Sequence, residues 1–233
     1  MSDIRDSSAA KSAILNKIRR SLGGSASNGD RSIEREEVTH RLERKERGIL
    51  PARGQVGREE RIKLFLDYAE KVSSTTNRVA SYDALPSEIA NYLRGRNLPQ
   101  KIRTGQDQRL AGIDWSTEPQ LERLIGPSDG TDLVGVSHAL GGVAETGTAL
   151  FASGPDNPTT LNFLPETHII VVHADDIHAD YESVQDKLRG EDGEAVMPRV
   201  VNMITGPSRS GDIEQTILLG AHGPRDVHVI VVG

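Results

Sequence analysis

Residues 203–232, MITGPSRSGDIEQTILLGAHGPRDVHVIVV, decide the fold. The apolar residues Val200, Val201, Met203 and Ile204 stop at Thr205-Gly206-Pro207, which predicts a strand closed by a turn. Asp212 and Gln215 stand at the N-cap and N3 positions of a capping box, where each side chain satisfies a backbone N–H that a helix leaves free, and Gly220 suits the end of that helix. Val227 to Val232 is a second β-branched run. The roughly twenty residues between the runs exceed the dozen that a parallel crossover needs, so two parallel strands with a right-handed connection are expected. The loop 206–211 is then expected at the carboxyl end of a buried strand, where open α/β sheets commonly bind ligands.

Upstream, the periodicity alternates. Ile62, Phe65, Leu66, Ala69 and Val72 have the i, i+3, i+4, i+7 spacing of a helix, and Leu85 to Leu93 predicts another. Short strands are expected at Asn77 to Ala80, Lys101 to Arg103, Leu133 to Val136, Thr148 to Ala152 and Ile169 to Val172, with a helix at Tyr181 to Leu188. The stretch 104–127 is poorly patterned, and Trp115 within it is read as a packing residue. The sum is an α/β class with a mostly parallel sheet and helices on both faces. Two segments follow: an arm, 1–56, and an α/β domain, 57–233. In the arm, Ser8 to Leu22 predicts an amphipathic helix with Ile14, Leu15, Ile18 and Leu22 on one face, and 25–57 is polar, charge-mixed chain expected to be mobile or to hug a surface. The helix suits docking on its own domain and on a partner equally.

Composition narrows the function. Aromatic residues are 3% of the chain, so the core must come from Val, Ile, Leu and Ala. There is no cysteine, which excludes a disulfide, a Cys nucleophile and a thiolate-bound iron–sulfur cluster on this chain. No apolar run approaches the ~18–20 residues that span a bilayer and the first twenty residues lack a signal-peptide core, so a cytoplasmic protein without a membrane span is expected. Residues 1–61 carry 14 basic and 10 acidic side chains, net +4, and residues 62–233 carry 14 and 24, net −10. Because acids interleave the basic residues of the arm and no aromatic accompanies them, nucleic-acid binding is rejected.

Four short motifs then carry a resemblance. AETGT (Ala144 to Thr148), LP-x-x-HI (Leu164 to Ile169), GPSRSGDIE (Gly206 to Glu214) and LGAHGP (Leu219 to Pro224) together resemble the signature of the LUD-domain family, in its lactate-utilisation branch. The resemblance implies a fold like that of ribose-5-phosphate isomerases and CoA transferases. It also implies a role in bacterial L-lactate oxidation beside two iron–sulfur subunits. It specifies no cofactor and no reaction of the isolated chain.

Glu145 is the candidate catalytic residue. CoA transferases of the broader fold group use a glutamate as covalent nucleophile; the alternative is that Glu145 pins its turn to backbone N–H groups or an arginine. The candidate ligand-binding residues are Thr146, Gly147, Thr148, Gly206, Ser208, Arg209, Ser210, Asp212, Glu214 and His222. Hydroxyls and N–H groups before a helix suit a small anion, and Arg209 offers a bidentate partner for a carboxylate or phosphate. Alternatively, the serines cap the helix of Asp212 and Arg209 pairs with Glu145 or Glu214. His222 is placed at the end of the crossover or against the ligand loop. A P-loop lysine, a G-x-S-x-G elbow and a dinucleotide fingerprint are all absent. No metal site is expected, because His168 and His173 lie an odd number of residues apart on one strand and so face opposite ways.

Three readings remain open. The first is a non-iron–sulfur subunit of a lactate-oxidising assembly with a small-anion or cofactor pocket. The second is a stand-alone enzyme of the CoA-transferase or phosphosugar-isomerase type using Glu145, and the third a ligand-binding regulatory module.

Overall fold

A computed structural model describes residues 7–21, 32–44, 47–189, 198–211 and 217–233. The chain divides into two units, Met1–Gly48 and Ile49–Gly233. The first contains helices α1 (Ser7–Ser21) and α2 (Ser32–Arg44). Ile14, Leu15 and Ile18 of α1 are exposed. Helix α2 stands where irregular chain was expected. It has no apolar stripe to announce it, but Glu37 lies four residues before Arg41 and Arg44 sits in the last turn, both favourable to a solvated helix.

The second unit runs in order through α3 (Arg58–Lys71), β1 (Thr75–Val79), α4 (Leu85–Gly95), β2 (Lys101–Thr104), α5 (Gln108–Ala111), β3 (Glu122–Ile125), β4 (Val134–His138), β5 (Gly141–Val143) and β6 (Thr148–Ala152). It continues with α6 (Thr159–Phe163), β7 (Thr167–His173), β8 (Ile177–His178), α7 (Tyr181–Gln185), β9 (Val201–Ile204), β10 (Arg209–Gly211), β11 (Ile217–Leu219) and β12 (Asp226–Val232). No helix among the described residues is long and apolar enough to cross a membrane.

The main sheet has the order β1-β12-β7-β4-β2-β3, and every neighbouring pair is parallel. Strands β7 and β12 lie inside it with a neighbour on each side, which explains their near-continuous apolar sequences: an interior parallel strand is buried on both faces. Alternate residues go to opposite sides. Ile170, Val172, Val229 and Val231 pack with Ile62, Phe65 and Ala69 of α3. Ile169, Val171, Ile230 and Val232 pack with Leu85, Ile89 and Leu93 of α4. Each of the Val, Ile, Leu and Phe side chains among these contributes about 1.5–3 kcal/mol on full burial. Trp115 packs at the margin of the α4 face and donates to the Leu110 carbonyl at 2.9 Å, the packing role expected of it.

Beside the main sheet lies a second one of order β8-β5-β6-β9, and β10 and β11 form an antiparallel hairpin. This corrects the expected crossover. Strands β9 and β12 belong to different sheets, and β9 is an edge strand antiparallel to β6 with Met203 exposed, so its apolar sequence marks a half-covered edge rather than a buried centre. Among the described residues the return path carries strand and no helix: Arg209–Gly211 pairs with Ile217–Leu219, and Gly220 follows a strand. Asp212 and Gln215, the capping-box pair, lie outside the described residues. Local spacing favoured a helix where long-range pairing makes a hairpin.

Candidate functional site

Most of the motif residues gather near the amino edge of the main sheet, around the last turn of α3. This helix runs against the strands: Arg58 at its start bonds Asp175, beyond the carboxyl end of β7, at 2.7 Å, while its end leads through Ser73 and Ser74 into β1. The AETGT turn joins β5 to β6 and presses on that end. Gly147 has φ +67°, and a Cβ there would lie 2.5 Å from the Ala69 amide nitrogen, so only glycine fits. Gly206, at φ +79°, meets Val72 in the same way, with a would-be Cβ 2.8 Å from its carbonyl oxygen. Thr146, Thr148, Thr205 and Tyr181 bring four hydroxyls together between these turns. Thr148 Oγ1 lies 2.7 Å from Thr205 Oγ1 and 2.9 Å from Tyr181 Oη, and Thr146 Oγ1 lies 2.8 Å from Thr148 Oγ1.

Glu145 is almost fully buried, and its carboxylate lies 3.4 Å from Arg53 Nε. The predicted partner, Arg209, points elsewhere. Its Nη2 donates to the Val72 carbonyl at 3.1 Å and to Ser73 Oγ, placing a cation on the C-terminus of α3, where the helix dipole favours one. Glu214 and Asp212 lie outside the described residues. Ser210 pairs with Leu218 across the hairpin instead of capping a helix.

Ser208 ties two motifs together. Its amide donates to the Pro224 carbonyl at 2.8 Å, its carbonyl accepts from Gly220 N at 3.0 Å, and its hydroxyl accepts from His222 N at 3.3 Å. The LGAHGP segment so held forms one wall of a cleft of about 630 Å³; the LP-x-x-HI segment forms the other. Glu166, His222 and Arg225 supply ionisable side chains to it, and Phe163, Leu164 and Leu219 supply exposed apolar surface. Both walls lead into the starts of β7 and β12, and Arg225 N and Asp226 N donate to the Glu166 carbonyl at 2.8 and 3.1 Å. The cleft therefore opens at the amino edge, not the carboxyl edge that the crossover reading required. Such a cavity can admit an anionic group beside Arg225 and apolar matter along Leu164 and Leu219.

His168 of the LP-x-x-HI motif is not in the cleft. It is wholly buried against Phe151, ring centroids 5.6 Å apart, and burial alone lowers its pKa to about 3. Neither ring nitrogen has a hydrogen-bond partner among the described residues. His173 stacks on Tyr82 at 6.0 Å. Phe151 belongs to the α3 face and Tyr82 to the α4 face, so the two histidines do point opposite ways.

A further group of polar residues, not found from sequence, occupies the carboxyl edge: Tyr82, Asp107, Arg109, His138 and Asp176, beside His173. The one available signal was positional. His138 and His173 each end a strand of the main sheet, the place where such sheets present side chains to ligands.

Comparison with known proteins is consistent with this architecture. Residues 62–232 match the LUD domain family model. An uncharacterized protein of Neisseria meningitidis serogroup B is 34% identical over 141 residues, 58% of this chain and 59% of its own, so the match spans about three-fifths of that relative's length. Lactate utilization protein C of Bacillus subtilis is 28% identical over 170 residues, 67% of this chain and 70% of its own. A crystal structure of a DUF162 family protein from Deinococcus radiodurans shares the fold with TM-score 0.56 and 20% identity, covering 76% of this chain and 99% of that one. The protein belongs to the LUD-domain family.

Proposed function

We propose that the chain is a non-iron–sulfur subunit of a bacterial lactate utilisation system, in which L-lactate is oxidised to pyruvate, and that the amino-edge cleft is its pocket for a small anion or cofactor. The observation that carries this reading is the construction of the cleft. Two separate family motifs, LP-x-x-HI and LGAHGP, supply its two walls, and the hydroxyl of Ser208 from a third holds one of them in place. The name of the Bacillus subtilis relative supports the pathway. The chain has no cysteine to hold a thiolate-bound cluster, so in this reading the iron–sulfur clusters belong to partner subunits.

In this reading the motif residues divide their work. Ser208 and His222 shape the cleft; Thr146, Gly147, Thr148, Gly206 and Arg209 hold its supporting turns on α3; Glu145 anchors the AETGT turn to Arg53. The arm as far as Gly48 is the docking element, with the exposed Ile14, Leu15 and Ile18 as its apolar contact and its net positive charge set toward an acidic partner, while residues 49–56 belong to the second unit. Affinity purification of the tagged protein from its native host tests this. Iron-bearing material that reduces a dye on addition of L-lactate is expected; colourless, partner-free protein would contradict the reading and direct attention to acyl-CoA turnover by Glu145.

A further inference from the structure

The carboxyl edge of the main sheet holds a second arrangement with its own chemistry. Its parts come from five segments: Tyr82 between β1 and α4, Asp107 and Arg109 after β2, His138 at the end of β4, His173 at the end of β7, and Asp176 beyond it. The protonation of the central pair follows from geometry. His138 Nδ1 lies 2.8 Å from the Ala139 carbonyl, which can only accept, so Nδ1 carries the proton. His138 Nε2 is then an acceptor, and it lies 2.9 Å from Tyr82 Oη, so the phenol donates to it. Burial, followed by the charge of Arg109, lowers the His138 pKa to about 4 and keeps this tautomer neutral. The Tyr82 ring is fixed between His138 and His173, with centroids 5.7 and 6.0 Å away.

Tyr82 has therefore committed its proton but retains a lone pair, and its side chain is only half-buried. Arg109 is oriented just as firmly. Nε and Nη2 bind the two oxygens of Asp107 at 3.0 and 2.7 Å, while Nη1 stands 3.8 Å from Asp176, beyond hydrogen-bonding distance. Asp176 itself is engaged by Lys187. The guanidinium is thus clamped on one side and 39% exposed, with Nη1 left to donate.

We propose that this edge is a binding site for a small carboxylate that also bears a hydroxyl group. The carboxylate accepts from Arg109 Nη1, and the hydroxyl donates to Tyr82 Oη, which continues to donate to His138. An oxo group in place of the hydroxyl has no proton to give, and would require Tyr82 to abandon His138. The site thus selects hydroxy acids over oxo acids and over plain carboxylates. It is independent of the amino-edge reading, and either can fail without the other.

The test titrates the full chain with L-lactate, 3-hydroxybutanoate, pyruvate and propanoate, following histidine ring resonances by NMR. Saturable binding of at least one hydroxy acid is expected, with the His138 ring signals shifting and with affinity about three- to tenfold above the matching acid without a hydroxyl, the worth of one hydrogen bond. Tyr82→Phe should erase that preference while retaining binding, and Arg109→Lys should weaken all four acids. No saturable binding would overturn the proposal. So would binding that shifts His222 and leaves His138 unmoved, or a hydroxyl preference that survives in a folded Tyr82→Phe protein.

Discussion

The two edges of the main sheet are built on different principles. At the amino edge, short contiguous motifs act largely through their backbones: Gly147 and Gly206 exist to let turns touch α3, and Ser208 exchanges hydrogen bonds with the neighbouring turn. At the carboxyl edge, single side chains separated by up to about ninety positions meet because parallel strands end side by side, and the contacts are between side chains. One edge is written as words in the chain, the other as scattered letters. A site made of side chains at strand ends becomes visible only when strand order is known.

Acid separates the edges most strongly. His168 and His228 stand near the starts of β7 and β12, and His138 stands at the end of β4; burial lowers their pKa values to about 3, 4 and 4, against 6.5 for an ordinary histidine. As pH falls below 6.5 the unfolded chain takes up these protons first, so their contribution is complete above 6.5 and is lost as pH descends to the folded values. At 1.36 kcal/mol per pKa unit the loss is roughly 3 kcal/mol for each of His138 and His228. Urea unfolding between pH 7 and 4 should show it, and a double His168→Leu, His228→Gln protein should lose more of the pH slope than His138→Gln. An equal effect from the single carboxyl-edge change would contradict the assignment of most acid sensitivity to the amino edge.

Backbone dependence comes next. Gly147→Val puts a β-branched side chain at positive φ against the Ala69 amide, and should cost about 3 kcal/mol or more in chemical denaturation. Asp107→Ala removes both hydrogen bonds to the Arg109 guanidinium and the one to its amide, for about 2 kcal/mol. The smallest effect is expected of Arg209→Ala. It strips a cation from the end of α3, worth about 0.5–1 kcal/mol, and addition of salt should narrow the difference from the parent.

Much of the fold could be read from residue pattern. The 3.6-residue spacing of Ile62, Phe65 and Ala69 gives α3, the run from Leu85 to Leu93 gives α4, and the unbroken β-branched residues of β7 and β12 mark interior parallel strands. What stayed hidden depends on partners distant in sequence. The apolar residues of β9 fit an exposed edge as well as a core, and nothing local shows that Ile204 pairs with Ala149 in another sheet. The hairpin of β10 and β11 likewise depends on pairing across residues whose spacing suits a helix. The motifs located Ser208 and His222 near one cleft, but not the edge at which it opens. They were silent on Arg53 as the partner of Glu145, because an arginine 92 residues away leaves no local trace.

If the amino-edge cleft serves lactate utilisation, as proposed, a charge placed in its lining should abolish that activity. Leu219→Asp tests it most directly, because this half-exposed residue lines the cleft and its replacement leaves the core intact. Lactate-dependent dye reduction should be measured on material purified with the tagged variant from its native host, beside the parent protein and with thermal unfolding of both. Reduction should fall to background while the folded chain keeps its melting temperature. Full lactate-dependent reduction by a folded Leu219→Asp protein would contradict that role of the cleft.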